Sequence, residues 1–211
     1  MSHTTAEVRV LGRRIPELRG GEGPPLLYLH GTMGETMWLP HLAGLAERWT
    51  VHVPAHPGFG DAEGLDDIRD IEDLVFHYVA YLDAMGWQSV AVAGHSFGGW
   101  IAAELAARHP ERVSRLVLAA AFGIRLPAVP MADIFVGDIR YPERMLDMLF
   151  HDTTCPAAQL MRSLIGLDVP DELLVDIIKA RAATAKVGWN PLMHDPRLER
   201  LLPRVTARRH R

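Results

Sequence analysis

The stretch VAVAGHSFGGW, residues 90–100, limits the possible folds of this chain more than any other part of its sequence. Its apolar start predicts a buried β-strand, and the residues after it predict a helix, so that Ser96 lies at a sharp strand-to-helix turn. The residues around the turn match G-x-S-x-G, in which a strained backbone lifts the middle hydroxyl clear of the surface. Ser96 is therefore the predicted nucleophile, the alternative being a serine that only caps the helix.

Strands and helices alternate over the first 125 residues. Apolar runs and alternating patterns predict strands at EVRVLG, RIPELRG, PPLLYLHG, TVHVPAH, SVAVAG and RVSRLVLAAAF. Apolar residues three and four apart predict helices at WLPHLAGLAERW, at DIEDLVFHYVAYLDAMG and from about Phe97 to Arg108. Near-continuous Val, Leu and Ala in strands that alternate with helices predict an α/β fold with a mostly parallel sheet, covered by helices on both faces.

The pattern changes near Pro127, where LPAVPMADIF carries two prolines and helical periodicity alone continues beyond it. We expect three regions: a core at residues 1–126, a helical lid at 127–190, and a return toward the core at 191–211. The lid is predicted to be an insertion after a core strand.

Composition excludes several classes of function. The chain has 211 residues, of which 48% are hydrophobic, and its net charge of -4 comes from mixed acidic and basic residues. No basic stripe suited to nucleic acid, no signal-peptide pattern and no apolar run near 18 residues is present, so we expect a soluble cytoplasmic protein that binds neither nucleic acid nor membrane. The single cysteine, Cys155, excludes an internal disulfide and argues against a thiolate metal site.

A second motif, YLHGTMG, lies upstream of the serine at the end of a predicted buried strand. The loop that starts at His30 and Gly31 places the backbone N–H groups of Thr32 and Met33 where they could face the serine. Together with the N–H of Phe97, they would form an oxyanion hole. His30 is predicted mainly to pin this loop.

The motif PAHPGFG, residues 54–60, comes after another strand and is predicted to shape the rim of the pocket. His56 in this motif has no evident proton-transfer partner in the sequence.

The succession of a strand into HGTMG, a strand into HPGFG, and a strand into GHSFGGW followed by RHPERVSRLVL resembles the α/β-hydrolase fold superfamily. The resemblance covers about residues 7–125 and, more loosely, residues 126–205, which include the lid. It implies a serine nucleophile, an oxyanion hole, no metal or organic cofactor, and hydrolysis of an ester or related acyl bond of a small molecule through an acyl-enzyme. Serine rather than aspartate at position 96 sets the chain apart from the dehalogenase and epoxide-hydrolase branches.

The resemblance also implies residues that this sequence lacks. In that family the acid and the histidine of the catalytic triad come after the serine, on loops beyond the last two strands. After RLERLLPRVTA the sequence continues only as RRHR, so we expect those strands, the triad acid and the triad histidine to be absent. The strand RLVLAAAF would then be an apolar sheet edge. A partner chain could cover it, and the alternative is that the 211 residues are the product of an interrupted gene.

No other residue is a convincing substitute for the triad base. His109 lies at the far end of the helix, roughly 18 Å from the serine at 1.5 Å per residue. His95 should point away from the serine. His151 and His194 lie in or beside the lid, and either could approach the pocket. His210 lies on the basic tail. The acidic candidates, supported by position only, are Asp133, Asp138, Asp152 and Asp195.

Two functions therefore remain open. In the first, the chain is a serine hydrolase whose small acyl substrate is surrounded by His30, Gly31 and His95 and by lid methionines. Met131 and Met145 are the predicted contacts, within a group that also includes Met148 and Met161, although packing of the lid is an alternative role for all four. In the second, the chain is catalytically inactive, and the strand-to-helix turn at Ser96 and the lid serve as a binding or dimerising surface. A homo-oligomer is possible with either.

Overall fold

The computed structural model describes residues 2–34, 37–129, 131, 142–165 and 170–207. Within these residues, a six-stranded sheet has the strand order β1-β2-β4-β3-β5-β6. The strands are β1 His3–Val10, β2 Arg13–Gly20, β3 Pro25–Leu29, β4 Thr50–Pro54, β5 Val90–His95 and β6 Val113–Ala119. The helices are α1 Pro40–Leu45, α2 Ile71–Ala84, α3 Phe97–Arg108, α4 Pro142–Leu149, α5 Pro156–Leu164, α6 Asp171–Gly188 and α7 Leu198–Leu201.

The centre of the sheet is parallel and its first two strands are not. β1 and β2 form an antiparallel hairpin, and β2 pairs antiparallel with β4. β3 pairs in parallel with both β4 and β5, and β5 pairs in parallel with β6. The carboxyl ends of β3, β4 and β5 therefore meet at one edge of the sheet, which brings together the three loops that the motifs predicted.

Helices α2 and α3 cover one face of the sheet and form the larger core. Asp70 caps α2, because its side chain accepts hydrogen bonds from the backbone N–H groups of Glu72 and Asp73. α3 is buried along almost its whole length, and Trp100 near its start is only 1% exposed. The short helix α1, with Leu42 fully buried, packs on the opposite face, where β3, β4 and β5 contribute a second, smaller apolar cluster.

β6 is the last strand of the described sheet, as the predicted apolar edge requires. Val117 is 58% exposed and Leu118 is 43% exposed. Exposed apolar side chains on an edge strand favour pairing with another chain.

An ion-pair network at the end of α3 joins the segment after α6 to the core. Arg108 contacts Glu104, Glu72 and Asp195, with N–O distances of 2.8–2.9 Å. Glu104 is fully buried, and Asp195 is 5% exposed. Arg197 adds a second contact to Asp195 at 3.0 Å. These bonds hold residues 195–197 beside α2 and α3.

Helices α4 and α5 pack around a small apolar cluster of their own. Its buried members are Met145, Leu146, Ala158 and Ile165. The side chain of Met33, from the loop after β3, packs against the same cluster. No helix among the described residues is long and apolar enough to cross a bilayer.

Candidate active site

Ser96 has the strained backbone that the sequence predicts. Its φ is 54° and its ψ is -116°, in the left-handed half of conformational space that residues with a side chain rarely adopt. Two hydrogen bonds to the end of β6 and the residues beyond it hold this conformation. The Ser96 N–H donates to the Ala119 carbonyl oxygen (2.9 Å), and the Ser96 carbonyl accepts from the Phe122 N–H (3.2 Å). The Ser96 side chain makes no capping hydrogen bond, so the helix-cap alternative is not supported.

Glycines beside the serine let three backbone segments approach one another. A Cβ on Gly94 would lie 2.4 Å from the Gly98 carbonyl oxygen, and a Cβ on Gly98 would lie 2.1 Å from the Leu29 carbonyl oxygen. Real side chains cannot approach a backbone oxygen so closely. The two glycines therefore fix how near α3 lies to β3 and β5.

The loop after β3 faces the serine. A Cβ on Gly31 would lie 3.4 Å from the Cβ of Ser96 and 3.1 Å from Nδ1 of His95, so Gly31 lies directly beside both residues. The Gly34 N–H donates to the Gly31 carbonyl oxygen (3.2 Å) and closes a turn around Thr32 and Met33, which are both half-buried. Among the described residues, neither the Thr32 nor the Met33 N–H donates a backbone hydrogen bond.

The first residue of α3 offers a third N–H group to this site. Phe97 begins the helix directly after Ser96, and the first N–H groups of a helix have no partner within it. The positive end of the helix dipole adds to this, because it favours negative charge at the same place. The start of α3 and the loop after β3 thus lie on either side of Ser96.

His30 lies beneath this loop, where it can pin it. The side chain is 1% exposed, and its Nδ1–H donates to the Gly31 carbonyl oxygen (2.8 Å). Burial lowers the pKa of His30 to about 4, so the ring is neutral at pH 7. Contact of this buried ring with a substrate, as predicted from the sequence, would require the loop to move.

His56 forms hydrogen bonds that the sequence did not indicate. Its Nδ1 accepts a hydrogen bond from the hydroxyl of Tyr78 on α2, and its ring also bonds to His30. Burial lowers the pKa of His56 well below the usual value of a histidine and raises the pKa of Tyr78 well above the usual value of a tyrosine. Both groups are therefore neutral. No local pattern could have signalled this contact, because the two residues are 22 positions apart on different elements.

His95 lies on the open side of the site. It is exposed, although the part of its ring that packs against the protein lowers its pKa by desolvation. Nearby, Nε2 of His41 lies 3.1 Å from the hydroxyl of the buried Tyr28. The pKa of His41 is lowered by burial and by the proximity of His95. Sequence reasoning did not single out His41 or Tyr28.

No described histidine after the serine is hydrogen-bonded to it. His109 follows the last residue of α3, at the end of the helix that is far from the serine, as predicted, and its Nδ1 lies 3.5 Å from a carboxylate oxygen of Glu111. His151 is exposed between α4 and α5. Nδ1–H of His194 donates to the Leu192 carbonyl oxygen (3.0 Å), and His194 also forms a β-bridge with Gly123. His210 lies outside the described residues.

Of the four acidic candidates, the two that the structure describes form bonds with residues other than Ser96. Asp195 bonds to Arg108 at the end of α3 that is remote from the serine, and to Arg197. Asp152 is exposed, and its side chain accepts hydrogen bonds from the N–H and hydroxyl of Thr154. Asp133 and Asp138 lie outside the described residues.

The methionines do not form one cluster. Met145 and Met161 belong to the apolar cluster of α4 and α5, which Met33 joins. Met131 packs instead against the larger core of the sheet, and Met148 is 44% exposed. Among these four, Met145 and Met161 thus share a cluster with the loop beside Ser96. Cys155 caps α5, its Sγ accepting from the Ala158 N–H (3.4 Å).

The sheet order, the parallel central strands and the strand-turn-helix at Ser96 define the class of α/β-hydrolase folds. The sequence model for the α/β hydrolase fold matches residues 24–202, and the chain belongs to this family. Within the described residues, no three His, Cys, Asp or Glu side chains are grouped as metal ligands.

The relatives of this chain include hydrolases. The 2-hydroxymuconate semialdehyde hydrolase of Pseudomonas putida is 35% identical over 155 residues, which are 70% of this chain and 55% of that protein. The chain thus spans about half the length of the curated relatives it matches.

Solved structures show the same fold. A membrane phospholipase A described as a bacterial virulence factor superposes with a TM-score of 0.67 and 26% identity, over 97% of this chain and 67% of the other. A serine hydrolase involved in carbazole degradation has a TM-score of 0.72 and 22% identity, over 98% of this chain and 77% of the other.

Proposed function

We propose that this chain carries the nucleophile and the oxyanion hole of a serine hydrolase that cleaves an ester or related acyl bond of a small molecule. Ser96 would attack the carbonyl carbon, and the acyl bond would break as the leaving group departs with the proton that the serine hydroxyl loses. Water would then hydrolyse the acyl-enzyme, which releases the acid and restores the serine hydroxyl. The N–H groups of Phe97 and of Thr32 or Met33 would stabilise the oxyanion of the tetrahedral intermediate. The observation that carries the proposal is the strained backbone of Ser96, held beside the Gly31 loop.

The strain supports a functional role because it costs stability. A non-glycine residue at such a φ and ψ destabilises the fold by about 1–3 kcal/mol unless its surroundings enforce it. Here β6, α3 and the loop after β3 all enforce it, through the hydrogen bonds of Ser96 and the contacts of Gly98. A turn that only linked a strand to a helix would not need this conformation.

The reaction also needs a general base. A base must reach the serine hydroxyl within about 3 Å, and another group must orient that base. The described residues contain no hydrogen bond between a histidine and Ser96, which favours the alternative function, an inactive binding module. We retain hydrolysis as the principal proposal on the condition that a base from the lid or from a partner chain completes the site. Without such a base, only residual catalysis of about 10³–10⁴ over water from the oxyanion hole and binding would remain.

The substrate class is inferred from the site and the relatives. The cluster of Met145 and Met161 with Met33 would present an apolar wall beside the oxyanion loop. Relatives include a 2-hydroxymuconate semialdehyde hydrolase and a (lyso)-N-acylphosphatidylethanolamine lipase of Bos taurus, the latter 32% identical over 126 residues, 54% of this chain and 35% of that protein. A small acyl compound with an apolar part would suit this wall.

Labelling with a fluorophosphonate tests the proposal. The reagent reacts with an activated serine hydroxyl, and intact mass counts the adducts. We expect one adduct on the folded 211-residue protein, none on Ser96→Ala, and one on Ser114→Ala, which removes an exposed serine from β6. Absence of an adduct on folded protein, together with binding of apolar esters without turnover, would establish the binding module instead.

A further inference from the structure

Two buried histidines hold the loops after β3 and β4 together. The backbone N–H of His56 donates to Nε2 of His30 (3.0 Å), and Nε2–H of His56 donates to the His30 carbonyl oxygen (2.9 Å). The bonds are reciprocal, since each residue contributes its backbone and its ring. The ring centroids are 3.7 Å apart, and His56 is fully buried.

The hydrogen bonds between His30 and His56 connect β3 and β4 beyond the end of the backbone pairing of these two strands. β3 and β4 are paired in register only as far as Leu27 and His52. Beyond that point no ladder pairing joins β3 directly to β4, just before the residues that face Ser96. The bonds between His30 and His56 bridge this gap between residues that are 26 positions apart in sequence.

Each hydrogen bond requires one particular tautomer. Nε2 of His30 accepts from a backbone N–H, so the neutral ring carries its proton on Nδ1 and donates it to the Gly31 carbonyl oxygen. His56 donates from Nε2, so its Nδ1 must accept, and the donor is the hydroxyl of Tyr78. Tyr78, fully buried on α2, thereby selects the tautomer of His56.

We propose that His56 and Tyr78 are positioning residues, which act through His30 to hold residues 31–34 against Ser96. The relay runs from the Tyr78 hydroxyl through the His56 ring and the His30 backbone and ring to the Gly31 carbonyl, and that carbonyl also accepts the N–H of Gly34. The catalytic consequence rests on the proposed function, because the loop matters for the rate only if it stabilises an oxyanion. The placement of the loop does not depend on it.

Tyr78→Phe tests the relay with the smallest change. It removes the hydroxyl and keeps the ring, so Nδ1 of His56 loses its donor. Tyr81→Phe is the matched control, since Tyr81 is a buried tyrosine on the same helix whose hydroxyl donates to Glu17, on β2. Two readouts report on the loop without any enzymatic activity: the tautomers of the His30 and His56 rings by ¹⁵N NMR, and amide exchange at Gly34 and His56.

In the wild-type protein we expect Nδ1–H on His30 and Nε2–H on His56. In Tyr78→Phe we expect mixed tautomers at His56 and exchange at Gly34 and His56 faster by about tenfold, since the loop opens more often. Tyr81→Phe should leave both readouts as in the wild type. Unchanged tautomers and exchange in Tyr78→Phe, or equal changes in Tyr81→Phe, would overturn the proposal.

Rates of acyl transfer then separate this inference from the proposed function. If the wild-type protein turns over p-nitrophenyl esters, Tyr78→Phe should lower kcat by about tenfold or more and leave KM nearly unchanged, because the oxyanion hole acts on the transition state. His56→Gln, which keeps an N–H donor near Nε2, should recover part of the rate that His56→Ala loses. A rise in KM with kcat unchanged would overturn the catalytic part. If the wild-type protein is inactive, the proposed function fails, and the NMR readouts still decide whether the relay holds the loop.

Discussion

The carbonyl oxygen of Leu29, the last residue of β3, lies 2.1 Å from the position that a Cβ on Gly98 would occupy. The His30 carbonyl oxygen is 2.4 Å from the same point. A helix can lie this close to a neighbouring strand only where it has no side chain. The contact brings the start of α3, and with it Ser96, to the end of the strand that carries the Gly31 loop.

Gly98→Ala should therefore destabilise the protein strongly. The new methyl group would collide with backbone, which cannot move aside as a flexible side chain can, so we expect a loss above about 3 kcal/mol or failure to fold. Gly44→Ala is the matched change, because Gly44 is an exposed helix residue whose added Cβ would meet nothing within 4 Å. It should stabilise by about 0.5–1 kcal/mol. Urea unfolding compares the two, and equal effects would contradict this role of Gly98.

Replacing His77 by leucine should stabilise the protein at pH 7. His77 is 6% exposed, and among the described residues its Nε2 has no hydrogen-bond partner. An unsatisfied buried polar atom costs about 1–3 kcal/mol, which leucine would recover in part. Urea unfolding at pH 7 measures the gain, and a loss above about 1 kcal/mol would show that the ring has a partner in solution.

The same residue should make stability depend on pH. Burial lowers the pKa of His77 from 6.5 to about 4, and that of His30 likewise. Between these values the unfolded chain binds more protons, so stability present above pH 6.5 is lost as the pH falls toward 4, by up to about 1.4 kcal/mol per pH unit for each group. His77→Leu should reduce that slope by about one proton, which urea unfolding at a series of pH values would measure. An unchanged slope would contradict the assignment of this pH dependence to His77.

Arg108→Met should destabilise the fold without changing the reactivity of Ser96. The substitution leaves the buried carboxylates of Glu104 and Asp195 without their shared cation, and we expect a loss of about 3 kcal/mol. Asp195→Asn should cost less, because Arg108 keeps two partners. In both variants the folded protein should label with fluorophosphonate at the wild-type rate. Slower labelling of folded Asp195→Asn would instead identify Asp195 as part of the catalytic machinery.

The exposed edge at β6 should promote self-association. Val117→Lys places a charge on the edge strand, which opposes pairing of β6 with another chain. Phe76→Lys is the control, since Phe76 is 61% exposed on α2, against 58% for Val117, and lies on another element. By sedimentation equilibrium we expect association of the wild type and of Phe76→Lys, and a shift of Val117→Lys toward monomer. A wild type that is monomeric at all concentrations would contradict the prediction.

The sequence predicted the strands and helices of the core and the strand-to-helix turn at Ser96 correctly, because each is encoded within a short stretch of residues. The run from Val90 to Trp100 specifies a strand, a tight turn and a helix through its own apolar pattern and glycines. The position of His109 at the far end of α3 is likewise a consequence of helical rise alone. The helix predicted over WLPHLAGLAERW is shorter, Pro40–Leu45, since periodicity fixes the existence of a helix better than its ends.

The sequence alone determined the fold family, the strained turn at Ser96 and the motif that faces it. Only the tertiary structure decided that His56 meets Tyr78, that Asp195 binds Arg108, and that Met131 lies away from Met145. The pairs His56–Tyr78 and Arg108–Asp195 are 22 and 87 residues apart in sequence. No local periodicity encodes such contacts, because they depend on how whole helices pack on the sheet.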